Sequence, residues 1–226
     1  MIKFFQKLKA KKGFTLVELI VVIAIIGVLA AILIPTMLGY VTSSRVTSAN
    51  STAASIKNNI DSFLTDADTN GYGMKQGKGI NQEFDITVTT ASGVTTWAVT
   101  KATAANFKTG STIVWGNAAG SGTKDTTKVG VTDAETLLAI SLANLFPEIT
   151  NASIHAVLNG GKCVGVAYTA DQNTALTAGT DMPSVTNTGS TTDPASFTSP
   201  FGWDTKTAGV TSSGLIVGTA PVVPLG

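Results

Sequence analysis

Glu18 is the sole charge inside the run FTLVELIVVIAIIGVLAAILI, Phe14 to Ile34. A carboxylate in such surroundings costs on the order of several kcal/mol unless it is paired, so its type and position predict an ion-pairing role. Snorkelling to lipid headgroups and protonation are the alternatives. Other reactive side chains are scattered. Asp66-Ala67-Asp68-Thr69-Asn70-Gly71 fits the first half of a calcium loop, but Gly77 stands where a bidentate glutamate is required, with Glu83 the nearest substitute. Helix termination by Asx-type turns explains the same residues, and no metal site is expected. His155, the only histidine, reads as a surface residue on a strand that turns Ile154, Ala156 and Leu158 to the core. Cys163 is the only cysteine, so no intramolecular disulfide exists, and burial as a small hydrophobe is favoured over an exposed thiol. With one isolated histidine and no H-E-x-x-H, P-loop or G-x-S-x-G pattern, the residues assemble no catalytic chemistry; neither enzyme activity nor a cofactor is expected.

The elements that must hold these residues follow from periodicity. Phe14 to Ile34 is long enough to cross roughly 30 Å of hydrocarbon as a helix. It exceeds a usual signal-peptide apolar region, and no small-x-small cleavage site follows it, which favours permanent anchoring. Beyond Pro35 the apolar positions become one-sided: Val46, Ala49, Ala53, Ile56, Ile60, Phe63 and Ala67 recur three and four apart, which continues the membrane helix as an amphipathic one. Asp68-Thr69-Asn70-Gly71 supplies a stop, so the helix runs from about Phe14 to about Ala67, roughly 80 Å at 1.5 Å per residue. Pro35 cannot donate to the carbonyl of Ala31, and a bend or local melting is expected there.

Past Gly71 the chain turns rich in Gly, Thr and Ser. Strands are predicted over Phe84 to Thr89, Thr95 to Val99 and Thr112 to Trp115. Thr132-Asp133-Ala134-Glu135 reads as a capping box opening a second helix that ends near Pro147. Ser153 to Leu158 and Lys162 to Thr169 flank Asn159-Gly160-Gly161 and should pair as an antiparallel hairpin. Thr174 to Ser199 reads as a linker, and Leu215-Ile216-Val217 as a last strand. Trp97, Trp115, Trp203, Tyr72 and Tyr168 are expected in an aromatic core rather than on an adhesive surface.

Charge sorts the partners. Lys3, Lys7, Lys9, Lys11 and Lys12 place five positive charges in the first thirteen residues with no acid among them, a topology signal for the cytoplasmic side. With those set aside, ten basic residues face fourteen acidic ones, a net of −4, so the remainder has no footprint for nucleic acid. Charged residues make up 13% of the chain, about half the usual share, which suits a loop-rich surface protein better than a cytosolic enzyme.

Lys11-Lys12-Gly13-Phe14-Thr15-Leu16-Val17-Glu18-Leu19 resembles the prepilin processing motif shared by type IV pilins, type II secretion pseudopilins and competence pilins. The resemblance covers the leader and the helix only. It implies cleavage between Gly13 and Phe14 by a membrane prepilin peptidase, and N-methylation of the new amino terminus on Phe14. It further implies that Glu18 meets the amine of a neighbouring subunit's Phe14 and sets register, and that Pro35 marks a helix kink. Gly13 lets the backbone lie extended in a protease cleft. The implied fold is α+β and pilin-like, a long amino-terminal helix packed on an antiparallel β-sheet head. Its parts are a basic leader (1–13, cleaved), a transmembrane and assembly helix (14–35), the amphipathic half of that helix (36–67) and a β-rich head (68–226). The implied function is a structural subunit of a type IV pilus serving adhesion, motility or aggregation. Its partners would be other copies of itself, minor pilins, and an inner-membrane assembly platform with its ATPase. The cytoplasmic membrane is its location before assembly and the cell surface after. A pseudopilin of a type II secretion or DNA-uptake machine, in a periplasmic or wall-spanning pseudopilus, shares the same amino-terminal chemistry.

Overall fold

The computed structural model describes residues 14–77, 80–100, 104–116, 119–171, 209–210 and 216–221. The leader with Gly13, the Thr174 to Ser199 stretch, Trp203 and Leu215 lie outside the described residues. Helix α1 spans Leu16–Thr69 and runs through Pro35. The chain divides into two units between Ser44 and Arg45.

In the first unit the helix exposes its apolar side chains on every side, Ile20, Ile26, Leu33 and Leu38 among them. Eighteen of its residues reach a mean hydropathy of 3.2, long and apolar enough to cross a membrane. Hydroxyls bond back onto the helix around the proline: Thr36 Oγ1 donates to the Leu33 carbonyl at 2.9 Å and Thr42 Oγ1 to that of Leu38 at 3.1 Å. Such bonds satisfy the hydroxyls on the helix's own carbonyls.

In the second unit α1 becomes one-sided, burying Val46, Ala53, Ile56, Ile60, Phe63, Leu64 and Ala67. The expected stripe is thus buried, with Ala49 half-buried. The helix stops as a Schellman motif, with Tyr72 N–H donating to the Ala67 carbonyl at 3.0 Å, Gly71 N–H to that of Asp68 at 3.2 Å, and Gly71 at φ +86°.

Among the described residues seven strands form one sheet in the order β3-β2-β1-β4-β5-β7-β6. They are β1 (Asn81–Ala91), β2 (Val94–Thr100), β3 (Ala119–Thr123), β4 (Ala152–Asn159), β5 (Lys162–Thr169), β6 (Gly209–Val210) and β7 (Ile216–Ala220), every pairing antiparallel. Both β1–β2 and β4–β5 are two-residue hairpins whose turn residues, Ser92-Gly93 and Gly160-Gly161, have positive φ, as the twist of flanking strands demands. Helix α2 (Ala134–Leu145) packs against β2 and β3. The core between helices and sheet centres on an aromatic stack, with Trp115 parallel to Phe107 at 4.1 Å and to Phe84 at 5.4 Å and Phe63 edge-on at 6.1 Å. Tyr72 and Trp97 are buried with them, as expected, and Tyr168 packs against the cluster.

Three expectations are corrected. Thr112 to Trp115 is not a strand: Gly110 and Gly116 at positive φ bound it, and Val114 makes a single parallel bridge to Asp133. Helix α2 is capped by Asp133, one residue later than the predicted box, because the Thr132 carbonyl already accepts from Val114 N–H and Glu135 turns sideways. His155 is buried, since β4 is covered on both faces. Strand β3, AGSGT, has little intrinsic strand propensity and was not foreseen. It forms because Gly120 and Gly122 let α2 approach: a Cβ on Gly122 would fall 2.5 Å from Ile140 N.

Candidate functional site

Thr15 and Glu18 close the amino-terminal end of α1 as a reciprocal pair. Glu18 N–H donates to Thr15 Oγ1 at 3.2 Å, while Thr15 N–H and Thr15 Oγ1 both donate to Glu18 Oε2 at 2.8 Å. Leu19 N–H to the Thr15 carbonyl, 3.2 Å, is the first helical rung. This is a capping box, T-x-x-E, in which N-cap and third-position side chains satisfy orphan donors of the first turn. The spacing is legible in the sequence but is masked there by the stronger signal of a charge in an apolar run. Its consequence is that the carboxylate arrives with two local donors on one oxygen. Phe14 precedes the helix and is 82% exposed. Pro35 lies nineteen residues into α1, within the continuous helix.

The other candidates are held by structural duties. Asp68 is paired with Lys108 Nζ, and Asp66, through its carbonyl, receives Asn70 N–H at 3.0 Å, so the Asp66-to-Gly71 segment ends the helix. Among the described residues no three His, Cys, Asp or Glu side chains are grouped to hold a metal ion. His155 Nδ1 lies 2.7 Å from Asp85 Oδ1, its cross-strand partner, and Nε2 is 3.8 Å from Glu83. Ser153 shares that face of β4, but among the described residues its buried Oγ has no hydrogen-bond partner, so it does not join His155 and Asp85 in a nucleophile–base relay. Cys163 is buried, its N–H donating to Asp61 Oδ1 at 2.5 Å, and burial pushes its thiol well above the ordinary range. Asp61 in turn pairs with Lys57 at 3.1 Å, so one carboxylate of α1 ties the helix to β5.

Glu135 is a functional-looking residue that pattern reading took for a cap. It is fully buried, Oε1 accepts from Gly116 N–H at 2.7 Å, and Oε2 has no hydrogen-bond donor among the described residues. Burial, reinforced by Asp133, raises its carboxyl to about 7.

The model of the prokaryotic N-terminal methylation motif matches residues 8–34, the segment that contains the Thr15–Glu18 box. The chain carries the prokaryotic N-terminal methylation motif in its amino-terminal segment. It is similar to fimbrial protein Q of Moraxella bovis, 42% identical over 87 residues, which cover 38% of this chain and 53% of that one. A fimbrial protein of Pseudomonas aeruginosa is 47% identical over 57 residues, 25% of this chain and 37% of its own. The type IV major alpha-pilin of Moraxella bovis is 44% identical over 62 residues, 27% and 39%. The chain thus spans about half the length, or less, of these relatives. No solved structure matches it. Where the pilin-type likeness ends, the α+β arrangement of helix and antiparallel sheet continues it in architecture.

Proposed function

We propose that this chain is a structural subunit of a type IV pilus, polymerised through the apolar half of α1 after removal of the leader. The observation that carries it is Glu18, a capped carboxylate three residues past Thr15 in an exposed apolar helix whose segment matches the methylation motif. Cleavage between Gly13 and Phe14 would free an amine one residue before the box, and prepilin peptidase would methylate it. Both Thr15 bonds end on Oε2, so Oε1 is the oxygen to receive the amine of a neighbouring copy's Phe14. The capping box keeps the carboxylate solvated by its own helix while the subunit waits in the membrane, and the ion pair neutralises it on assembly. A helix exposing Ile20, Ile26 and Leu33 all round finds cover in lipid and then among other subunits. Pro35 is assigned the point at which the helix yields during that transfer. Further partners by this reading are minor pilins, an inner-membrane platform and its ATPase. The names of the relatives, fimbrial proteins and a major pilin, favour a displayed fibre over a pseudopilus, and a structural over a catalytic role.

The test is Glu18→Ala in cells that assemble fibres. The variant should be processed and retained in the membrane at normal abundance, while the sheared surface fraction falls at least tenfold. Undiminished fibres would refute the role given to Glu18.

A further inference from the structure

Glu135 joins three parts of the head by one side chain. Its Oε1 receives the N–H of Gly116, the residue after Trp115. Its own turn of α2 is bridged to the same segment by Val114 N–H to the Thr132 carbonyl and Ala134 N–H to the Val114 carbonyl, both 2.9 Å. Gly120 of β3 lies so close over Glu135 that a Cβ there would strike its backbone. Trp115 carries the effect inward, its indole N–H donating to the Tyr72 carbonyl at 2.7 Å and its ring stacked on Phe107. Oε2 remains the one buried carboxylate oxygen among the described residues without a partner. A buried acceptor left unmade is costly, but a proton on that oxygen turns it into a donor.

We propose that Glu135 is a proton-controlled latch: neutral, it holds Gly116 through Oε1 and donates from Oε2 to Asp133; ionised, it leaves its site and frees the segment 113–116. Residues 113–116 (IVWG) and β3 (AGSGT) bring no ionisable side chain against it, and α2 has no other. Lys124, Asp125 and Lys128, on the connection between β3 and α2, are exposed. Among the described residues Asp133 is therefore the charged neighbour that acts, and it is fixed in place by accepting from Thr136 N–H at 3.1 Å. Two carboxylates two residues apart, one of them dry, resist double ionisation. The N–H groups of Gly116 and of Glu135 itself favour the charged form, and they are outweighed by desolvation and by Asp133, which raise the carboxyl to about 7. The ionised side chain gains water only by rotating out, and the tight fit under Gly120 makes that a local opening rather than a rotamer change.

Hydrogen exchange on the full chain in detergent micelles, with Glu135→Gln as comparison, tests this. Corrected for intrinsic exchange, protection of the Gly116 amide should fall at least tenfold between pH 5 and pH 8.5. In Glu135→Gln, which keeps the acceptor and adds a permanent donor, it should change less than twofold. Protection of Leu158 in β4 should hold in both. A flat profile in the native chain, or the same fall in Glu135→Gln, overturns the latch. Should that variant fail to fold, carbon-detected titration of Glu135 in the native chain decides: a midpoint near neutrality shared by the Gly116 amide supports it, and a midpoint in the ordinary carboxylate range overturns it.

Discussion

Replacing Gly218 with alanine tests how the amphipathic half of α1 is seated on the sheet. In β7 this glycine passes so near the helix that an added Cβ would lie 2.6 Å from Asn50 N and closer still to the Ala49 carbonyl. These are backbone atoms of a regular helix and cannot swing aside, so β7 must lift. Overpacking of this kind costs about 1–3 kcal/mol. Lifting also breaks the Thr219 N–H bond to Asn50 Oδ1, 2.8 Å and buried on the strand side, worth about 1 kcal/mol. The sum of about 2–4 kcal/mol, at about 2–4 °C per kcal/mol for a unit of this size, lowers the melting temperature by about 10 °C. Thermal unfolding of the detergent-solubilised chain, followed by near-ultraviolet circular dichroism of the tryptophans, reads it directly. A variant melting within 2 °C of the parent would refute the close seating of β7 on α1.

Stability should also fall with rising pH. Glu135 has its folded value raised to about 7 from 4.5, so its contribution is complete below about pH 4.5 and is lost as pH rises through about 7. The full loss is about 3 kcal/mol at alkaline pH, and since part of it has already occurred at pH 5, urea titrations at pH 5 and pH 8.5 should differ by about 2.5 kcal/mol in the native chain but not in Glu135→Gln. Asp133→Ala removes the α2 cap and should cost about 1–2 kcal/mol, measured by the same urea midpoint at pH 5. Trp115→Ala opens the aromatic stack and strands the Tyr72 carbonyl, and should cost about 3–5 kcal/mol with loss of near-ultraviolet signal.

Much of this architecture is legible in the chain because long, strongly periodic signals leave few solutions. The change from all-round apolar to one-sided, expected at Pro35, falls at Arg45, from where α1 buries its stripe, and Gly71 marks the helix end. The Asn159-Gly160-Gly161 turn fixes the β4–β5 hairpin. Tertiary fit decided what pattern reading did not. Strand β3 exists because glycines admit α2, which no propensity reports. Thr112 to Trp115 has strand composition, yet Val114 N–H donates to the approach to α2, Ile113 N–H to Ser111 Oγ and the Trp115 indole N–H to Tyr72. His155 looked exposed by polarity alone, but Asp85 across the strand makes its burial affordable, a partner seventy residues away. At the amino-terminal end of α1 Glu18 is conspicuous by its charge, while the threonine that caps it is legible only as a spacing.

Intact-mass measurement and amino-terminal sequencing of the protein sheared from the surface of cells that express it tests the pilus reading most directly. A chain beginning at N-methylated Phe14, recovered in a filament fraction, is the expected result. A chain that keeps its leader through Gly13 in cells with a working prepilin peptidase would contradict it.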